Sequence, residues 1–266
     1  MLDVLIAVIL GIVEGITEWL PISSTGHMIL VEQFLHMSTS HEFNSMFRVV
    51  IQVVVLYFNK LNPFSKRKSA KQKRNTINLW CKIVVACLPA AVIGLLFDDI
   101  LDKYLYNYVV VALMLIIYGI FFILIEKKNE HTRPQVTKLT ELTYQMALII
   151  GGFQVLALIP GTSRSGATIL GALLIGTSRY VATEFTFYLA IPVMFGASIL
   201  KVIKFGFHYT AIEVVILLVG CLVAFFVSVF AIKFLMGYIK KHDFKAFGYY
   251  RIVLGVLVLL YFLIFG

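Results

Sequence analysis

The sequence predicts an all-α integral membrane protein with six transmembrane helices and two re-entrant helix pairs, arranged as an inverted repeat. The 266-residue chain is 60% hydrophobic and 14% charged, with a mean hydropathy of +0.92. That composition is too apolar for a soluble globular domain. Two apolar segments are each broken by proline and a Ser/Thr-rich run, and the two breaks lie 140 positions apart.

The first broken segment opens the chain. Met1–Trp19 is an apolar run that carries Glu14 and Glu18, Pro21 interrupts it, and Met28–Leu35 follows. Each piece is shorter or more interrupted than the roughly 20 apolar residues of a membrane span, so we expect a re-entrant pair. The first ten residues lack the basic start and the cleavage site of a signal peptide, so we expect them to remain in the mature helix.

Six apolar runs are long enough to be predicted as spans, three in each half of the chain. They are Phe43–Phe58, Leu79–Phe97 (with a kink expected at Pro89), Tyr106–Ile125, Val181–Phe205, Ala211–Met236 and Phe247–Phe265. The predicted connections are a basic loop at Lys60–Arg74, a short acidic loop at Asp98–Lys103 and a polar linker at Glu126–Glu141.

The second re-entrant pair is predicted at Leu142–Leu158 and Ser163–Ile175. Pro160 cannot continue a helix interior, and Gly161 permits a turn at that point. The result should be two short helices joined by a polar elbow within an apolar environment.

The two broken segments share residues at a constant offset of 140 positions, which predicts an internal duplication. Gly11, Ser23 and Gly26 have the same residue types 140 positions later, at Gly151, Ser163 and Gly166. We therefore expect a single membrane domain with halves 1–130 and 141–266 joined by a linker at 126–141. Three full spans per half place the second half upside down, with a site where the two broken elements meet.

Loop charge predicts the orientation. The net charge of +9 is concentrated in the loop after the first span, the midpoint linker and the loop after the fifth span. These loops should be cytoplasmic by the positive-inside rule, with both termini and the site facing outward. The basic loops lack the aromatic interleaving of nucleic-acid binding. Cys81, Cys87 and Cys221 have no CxxC spacing, which argues against a disulfide framework or zinc site.

Ionisable and hydroxyl residues gather around the first break. Glu14 and Glu18 are four apart and share a helix face. Inside an apolar helix they need a cation, a metal, a proton or a water-filled cavity, unless they simply lie at a wet interface. Ser24 and His27 are three apart and can supply a nucleophile and a proton shuttle, although such a histidine can equally be structural.

The second break carries Arg164 between Ser163 and Ser165. A helix N-terminus with an arginine and hydroxyl donors suits a phosphate group. The alternative is a Ser/Thr N-cap after a helix break, but Arg164 has no nearby acid in the sequence and is unfavourable in a membrane without a role. Together the two elbows have the groups that metal-assisted phosphate chemistry requires. No Gly-rich loop ends in Lys-Ser/Thr, which excludes a P-loop.

Both elbows resemble known motifs. EGITEWLPISSTGH (14–27) and PGTSRSGAT (160–168) closely resemble the two signature motifs of bacitracin-resistance-type undecaprenyl-diphosphate phosphatases, and the likeness continues through Phe47–Tyr57, Gly94–Asp99 and Glu184–Pro192. The resemblance implies a multi-pass protein of the bacterial plasma membrane that hydrolyses undecaprenyl diphosphate to undecaprenyl phosphate and inorganic phosphate. This activity recycles the lipid carrier of cell-wall synthesis and gives bacitracin resistance. The resemblance also implies a homodimer and a divalent cation, Mg²⁺ or Ca²⁺.

The resemblance assigns roles residue by residue. The catalytic residues would be Glu14, Glu18, Ser24, His27 and Arg164; the substrate-binding residues would be Gly161, Ser163, Ser165, Gly166 and Thr168; and the metal ligands would be Glu14 and Glu18. We expect Ser24 to be the nucleophile and His27 its proton shuttle, with His27 or water as open alternatives.

Three further expectations concern the surroundings of the site. Arg48 stands where the family pattern has an acidic residue, so no family role is carried over to that position. The polyprenyl tail is expected between spans, at lipid-exposed residues such as Phe185 and Phe187. Because inverted repeats with broken helices are common in transporters, a transporter or flippase of a polyprenyl phosphate lipid is the alternative function.

Overall fold

The computed structural model describes residues 2–53 and 58–265, except for the side chains of residues 58, 59, 98, 99, 102 and 103. Within these residues the chain is all-helical, with one isolated parallel bridge between Val136 and Thr177 and no strand. The described helices are α1 Leu2–Thr17, α2 Ser24–Val31, α3 His41–Val50, α4 Phe58–Leu61, α5 Ala70–Leu105, α6 Tyr108–Asn129, α7 Tyr144–Leu156, α8 Arg164–Leu174, α9 Arg179–Phe205, α10 Ala211–Tyr238 and α11 Lys245–Phe265. A one-turn 3₁₀ helix, Leu139–Glu141, precedes α7.

Five of the described helices are long and apolar enough to cross a membrane: α5, α6, α9, α10 and α11. They confirm five of the six predicted spans as apolar helices. Both broken segments also form the predicted pairs of short helices, α1 with α2 and α7 with α8. The coarse architecture is therefore an all-helical bundle with at least five candidate spans.

The predicted span Phe43–Phe58 is not one continuous helix. Helix α3 ends at Val50, and residues 51–53 leave the helix, whereas residues 54–57 lie outside the described part of the chain. At 1.5 Å per residue, ten residues cover roughly 15 Å, about half the hydrocarbon thickness. Helix α3 is amphipathic: Phe43 and Phe47 are buried, while Arg48 forms an ion pair with Glu32 at 2.7 Å. The sequence prediction counted apolar residues without considering which helix face they occupy.

Three predicted connections are partly helical instead. Helix α5 begins at Ala70, within the predicted basic loop, and its backbone continues through the predicted acidic loop to Leu105. Helix α6 continues into the predicted linker as far as Asn129. A helix of 36 residues exceeds the about 20 residues that cross the apolar layer. Polar residues at its ends can therefore remain helical outside that layer.

The two elbows share one backbone conformation. Ser23 and Ser163 have φ values of 73° and 69°, and they are the non-glycine residues with positive φ in the described backbone. Each is the N-cap of the following helix, and its hydroxyl accepts a hydrogen bond from Gly26 N or Gly166 N. Positive φ is unfavourable for residues with a side chain. The shared cap therefore indicates that both elbows are under the same local constraint.

Helix packing also follows the 140-residue spacing. A shift of 140 exchanges α1 with α7, and α5 with α10. Correspondingly, α1 packs against α10 and α7 packs against α5, while α6 packs against α11 and α3 against α9. Helices that correspond under this shift therefore have corresponding packing partners.

Adjacent glycines in α7 test the packing of α7 against α5. A Cβ at Gly151 would lie 2.8 Å from Ala86 Cα and would clash with the Ala86 carbonyl, whereas a Cβ at Gly152 would meet nothing within 4 Å. We expect Gly151→Ala to lower the thermal unfolding midpoint in detergent, because backbone cannot move aside as a flexible side chain can. Gly152→Ala is the matched control and should raise stability slightly, by about 0.5–1 kcal/mol, through helix propensity. Equal midpoints for the two variants would contradict this packing.

Candidate active site

An ion pair joins the two elbows. Arg164 Nη2 lies 3.2 Å from Glu18 Oε1, and both side chains are only about a tenth exposed, at 11% and 10%. Ser24 Oγ donates to the other carboxylate oxygen, Glu18 Oε2, at 2.7 Å. No acid is near Arg164 in the sequence, and its partner lies 146 residues away in the chain. The site is a connected series of hydroxyl, carboxylate and guanidinium groups.

Local chain geometry places these three groups. Helix α1 ends at Thr17, so Glu18 occupies the turn immediately after it, with its N–H bonded to Glu14 O at 3.0 Å. Ser24 and Arg164 are each the first residue of a helix and each follows a serine of positive φ. The N–H groups of such a first turn have no acceptor within their own helix. Two sets of backbone donors therefore lie beside the ion pair.

The indole of Trp19 forms one wall of the site. The Arg164 guanidinium lies 5.9 Å from the Trp19 ring centroid, a cation–π arrangement. Phe187 meets the same indole edge-on at 5.4 Å. Phe185 and Phe187 are 0% and 2% exposed, so their predicted contact with lipid is wrong. They pack inside the bundle and support the wall instead.

Two of the predicted substrate-binding hydroxyls are buried in the junction between the elbows. Ser165 Oγ lies 3.2 Å from the carbonyls of both Glu18 and Leu20. Thr168 Oγ1 donates to Arg164 O at 2.9 Å and lies 2.9 Å from Thr186 Oγ1. Both residues are fully buried. These contacts show that Ser165 joins the two elbows, whereas Thr168 joins α8 to α9.

The two glycines predicted to bind substrate, Gly161 and Gly166, lie where a side chain would crowd a neighbouring residue. Gly161 has a φ of 89°, and a Cβ there would lie 2.7 Å from Val111 Cα. A Cβ at Gly166 would lie 3.1 Å from Arg251 Nη1. Ser163 is partly accessible, and its hydroxyl caps α8 and lies 3.1 Å from Ser165 Oγ. Among these predicted binding residues, Ser163 is therefore the one best placed to reach a ligand.

Both ring nitrogens of His27 form hydrogen bonds with residues other than Ser24. Its Nδ1 lies 2.7 Å from the Ser23 carbonyl oxygen and its Nε2 lies 2.7 Å from Tyr250 Oη. Because a carbonyl only accepts, Nδ1 must carry a proton, and in a neutral ring Nε2 then accepts from Tyr250. The rings of His27 and Tyr250 are also stacked. The predicted Ser24–His27 pair is thus not formed between these described residues, and Glu18 is the base nearest to Ser24.

Arg251 is a residue of the junction that the sequence prediction missed. Its side chain is 0% exposed, and Nη2 lies 2.9 Å from the carbonyls of both Gly161 and Thr162, while Nη1 lies 3.3 Å from Pro21 O. The guanidinium therefore holds the break of each elbow. A charged residue within the apolar run of α11 was a signal that could have identified it.

Glu14 is one of the two predicted ligands of a divalent cation. Its Oε1 is buried and has no hydrogen-bond partner among the described residues. The same residues hold no group of three or more His, Cys, Asp or Glu side chains placed to bind a metal ion. Mg²⁺ often uses one or two carboxylates together with substrate phosphates. Glu14 and Glu18 therefore fit a cation that a bound diphosphate helps to hold, and they do not form a complete protein cage.

Known proteins resemble this chain over nearly its full length. The family model described as bacitracin resistance protein BacA matches residues 7–257. A protein named undecaprenyl-diphosphatase from Acetivibrio thermocellus is 62% identical over 99% of both chains. A protein of the same name from Desulfitobacterium hafniense is 61% identical over 98% of this chain and 97% of its own length. Another, from Enterococcus faecalis, is 60% identical over 97% of this chain and 96% of its own length.

Arg251→Lys tests the role of the buried guanidinium at the junction. Lysine cannot reproduce a planar fork that reaches carbonyls of both elbows. Each buried carbonyl left unbonded costs about 1–3 kcal/mol, so we expect a clearly lower unfolding midpoint. Arg133→Lys, in the exposed linker, is the control and should leave the midpoint unchanged. The assigned role would be refuted by equal midpoints for the two variants.

Proposed function

The chain belongs to the bacitracin resistance protein BacA family, and we propose that it acts as an undecaprenyl-diphosphatase. The observation that carries the proposal is the Ser24–Glu18–Arg164 series at the junction of two helix N-termini. A hydroxyl beside a carboxylate can be activated as a nucleophile, and an arginine beside free N–H groups can bind a phosphate. The products are undecaprenyl phosphate, which returns to cell-wall synthesis, and inorganic phosphate.

Substrate binding would begin at Arg164. Its guanidinium and the first-turn N–H groups of α8 are oriented donors for the terminal phosphate, and Ser163 Oγ adds a third kind of donor. Such preorganised donors stabilise the charge that develops on phosphoryl oxygens. Trp19 keeps the guanidinium in place from one side.

Arrival of the diphosphate would also change the partners of Glu18. In the structure the Glu18 carboxylate binds both the Arg164 guanidinium and the Ser24 hydroxyl. A phosphate that draws the guanidinium away would leave Ser24 as the hydrogen-bond partner of Glu18. Glu18 would then be placed to accept the Ser24 proton when substrate is present.

The chemical step would use Ser24 as the nucleophile. Its Oγ attacks the terminal phosphorus as Glu18 accepts its proton, the bond between that phosphorus and the bridging oxygen breaks, and undecaprenyl phosphate leaves. Water then hydrolyses the phosphoserine and releases inorganic phosphate. The alternatives are His27 as the nucleophile, which would form phosphohistidine, and direct attack by water, which would form no phosphoenzyme.

A divalent cation would be held by Glu14 and Glu18 together with the diphosphate. When bound, it would neutralise phosphate charge during the reaction. Glu14 Oε1, buried and without a partner among the described residues, supports a ligand at that position.

The proposed setting is the bacterial plasma membrane, with an inverted repeat whose site faces outward. The shared cap of Ser23 and Ser163 and the exchange of helix packing partners support the repeat. The basic loops support the orientation through the positive-inside rule. A sixth span and a homodimer remain expectations from the family resemblance.

Phosphate release by the purified protein is the test of function. In detergent, the protein is expected to release inorganic phosphate from undecaprenyl diphosphate, whereas a flippase would release none. Arg164→Ala should lower kcat/KM by about 100- to 1,000-fold, as the loss of a preorganised charge does. Arg164→Lys should restore little of this activity because a point charge lacks the bidentate fork. Arg133→Ala, in the exposed linker, is the control; absence of phosphate release by wild type would overturn the function.

Ser24 and His27 can be separated by trapping the phosphoenzyme. Ser24→Ala is expected to be nearly inactive, whereas His27→Gln should keep measurable turnover, because His27 bonds to Tyr250 and Ser23 and not to Ser24. Tyr250→Phe removes only the Tyr250 hydroxyl that bonds to His27 Nε2, and it should change kcat by less than about tenfold. Acid-stable phosphoserine in quenched wild type would support the mechanism. Acid-labile phosphohistidine, with residual activity in Ser24→Ala, would assign the nucleophile to His27.

A further inference from the structure

A second polar cavity lies away from the elbows. It has a volume of about 290 Å³ and lies between the N-terminal half of α5, the 3₁₀ helix before α7, and α9. The polar lining residues that matter here are Lys60, Thr76, Asn78, Lys82, Thr140 and Glu184. The cavity is thus at the end of the bundle that carries the basic loop and the linker.

Lys82 is the unusual residue of this cavity. It is 4% exposed, and no hydrogen bond or ion pair links its ammonium to any residue that the structure describes. The Tyr144 ring, 5.9 Å away, offers a weak cation–π contact. A buried charge in an apolar helix calls for a counter-ion. The cavity beside Lys82 provides the room for one.

The cavity's own carboxylate does not fill that role. Glu184 Oε1 lies 3.0 Å from Lys60 Nζ and accepts from Tyr188 Oη at 2.7 Å. It forms no ion pair with Lys82 within 4 Å, although both side chains line the same space. Asn78 Oδ1 accepts from Tyr144 Oη at 2.6 Å, so the Asn78 amide N–H₂ remains a donor. The cavity therefore combines an ammonium and an amide donor with one carboxylate that already has partners.

We propose that this cavity is a second anion site, which binds a phosphate group independently of the Arg164 elbow. Helix α9 separates the two sites. Thr186 O accepts from Arg164 Nη1 on one side, whereas Glu184 and Tyr188, four residues apart on another face, line the cavity. A volume at the lower end of the roughly 300–1,000 Å³ range of ligand pockets fits a headgroup and not a whole lipid.

The phosphate can come from two sources that share this chemistry. One is inorganic phosphate, and the other is the headgroup of a prenyl monophosphate whose chain stays in the membrane. Both are products under the proposed function, but binding at Lys82 requires no hydrolysis. The site can therefore be tested in protein whose elbow is disabled.

The experiment measures binding of radiolabelled inorganic phosphate and of farnesyl phosphate to the full chain with Arg164→Ala, in detergent. Saturable binding of either ligand should persist in that background. Adding Lys82→Gln should weaken it at least about tenfold, the loss typical of a hydrogen bond to a charged group. Adding Lys71→Gln makes the same charge change at an exposed position of the same helix and should change the Kd less than twofold.

A second variant, Thr140→Glu, tests the site independently in case Lys82→Gln does not fold. Thr140 is exposed and lines the cavity from the 3₁₀ helix, so Thr140→Glu should fold normally, place a carboxylate near Lys82 and weaken phosphate binding. Binding of inorganic phosphate would identify free phosphate as the ligand, and binding of farnesyl phosphate alone would identify the lipid headgroup. The proposal is overturned if Arg164→Ala protein that still unfolds cooperatively binds neither ligand, if Lys82→Gln matches Lys71→Gln, or if farnesol binds as tightly as farnesyl phosphate. None of these outcomes depends on whether the wild type hydrolyses a diphosphate.

Discussion

The buried ion pair between Glu18 and Arg164 is the interaction on which the site depends. Each side chain is about 90% buried, and either charge alone would be strongly unfavourable in this environment. The pair therefore requires that both elbows, which are far apart in the chain, arrive at one place. Arg251 reinforces the same junction by binding the carbonyls at both breaks. Removing either charge of the ion pair would leave the other without its counter-ion, and removing Arg251 would leave carbonyls at both breaks without their donor.

The breaks that create the elbows also create the binding groups. A continuous helix would satisfy every N–H internally, whereas a helix that begins at Ser24 or Arg164 presents free N–H groups and the positive end of its dipole. Positive φ at Ser23 and Ser163 is the local strain that accompanies these starts, and such strain commonly occurs at functional sites. Pro21, Pro160 and Gly161 thus determine both the fold of the elbows and the chemistry available there.

Sequence predicted the parts of the structure that depend on local chain physics. Proline and glycine located both elbows, and hydropathy located five spans. Hydropathy failed for Phe43–Phe58, because the position of each residue around the helix, and not the number of apolar residues, shows that Arg48 lies off the buried face. Sequence also could not identify individual side-chain contacts between distant residues. Three-residue spacing suggested a Ser24–His27 pair, but Tyr250, 223 positions from His27, binds the histidine instead. Arg251 and Lys82 carried a readable signal as charges in apolar runs, although their partners could not be read from the sequence.

Under the proposed function, the same physics would let one carboxylate serve stability and catalysis in turn. Without substrate, Glu18 balances Arg164, so the arginine is not an isolated buried cation. A diphosphate brings more negative charge than Glu18 and can take over the guanidinium, which exchanges one ion pair for another in the same surroundings. Such an exchange avoids the desolvation penalty that a lone buried arginine would suffer. The carboxylate that it would free lies 2.7 Å from the Ser24 hydroxyl, so phosphate binding at Arg164 would release the proposed base at the place where the nucleophile needs it.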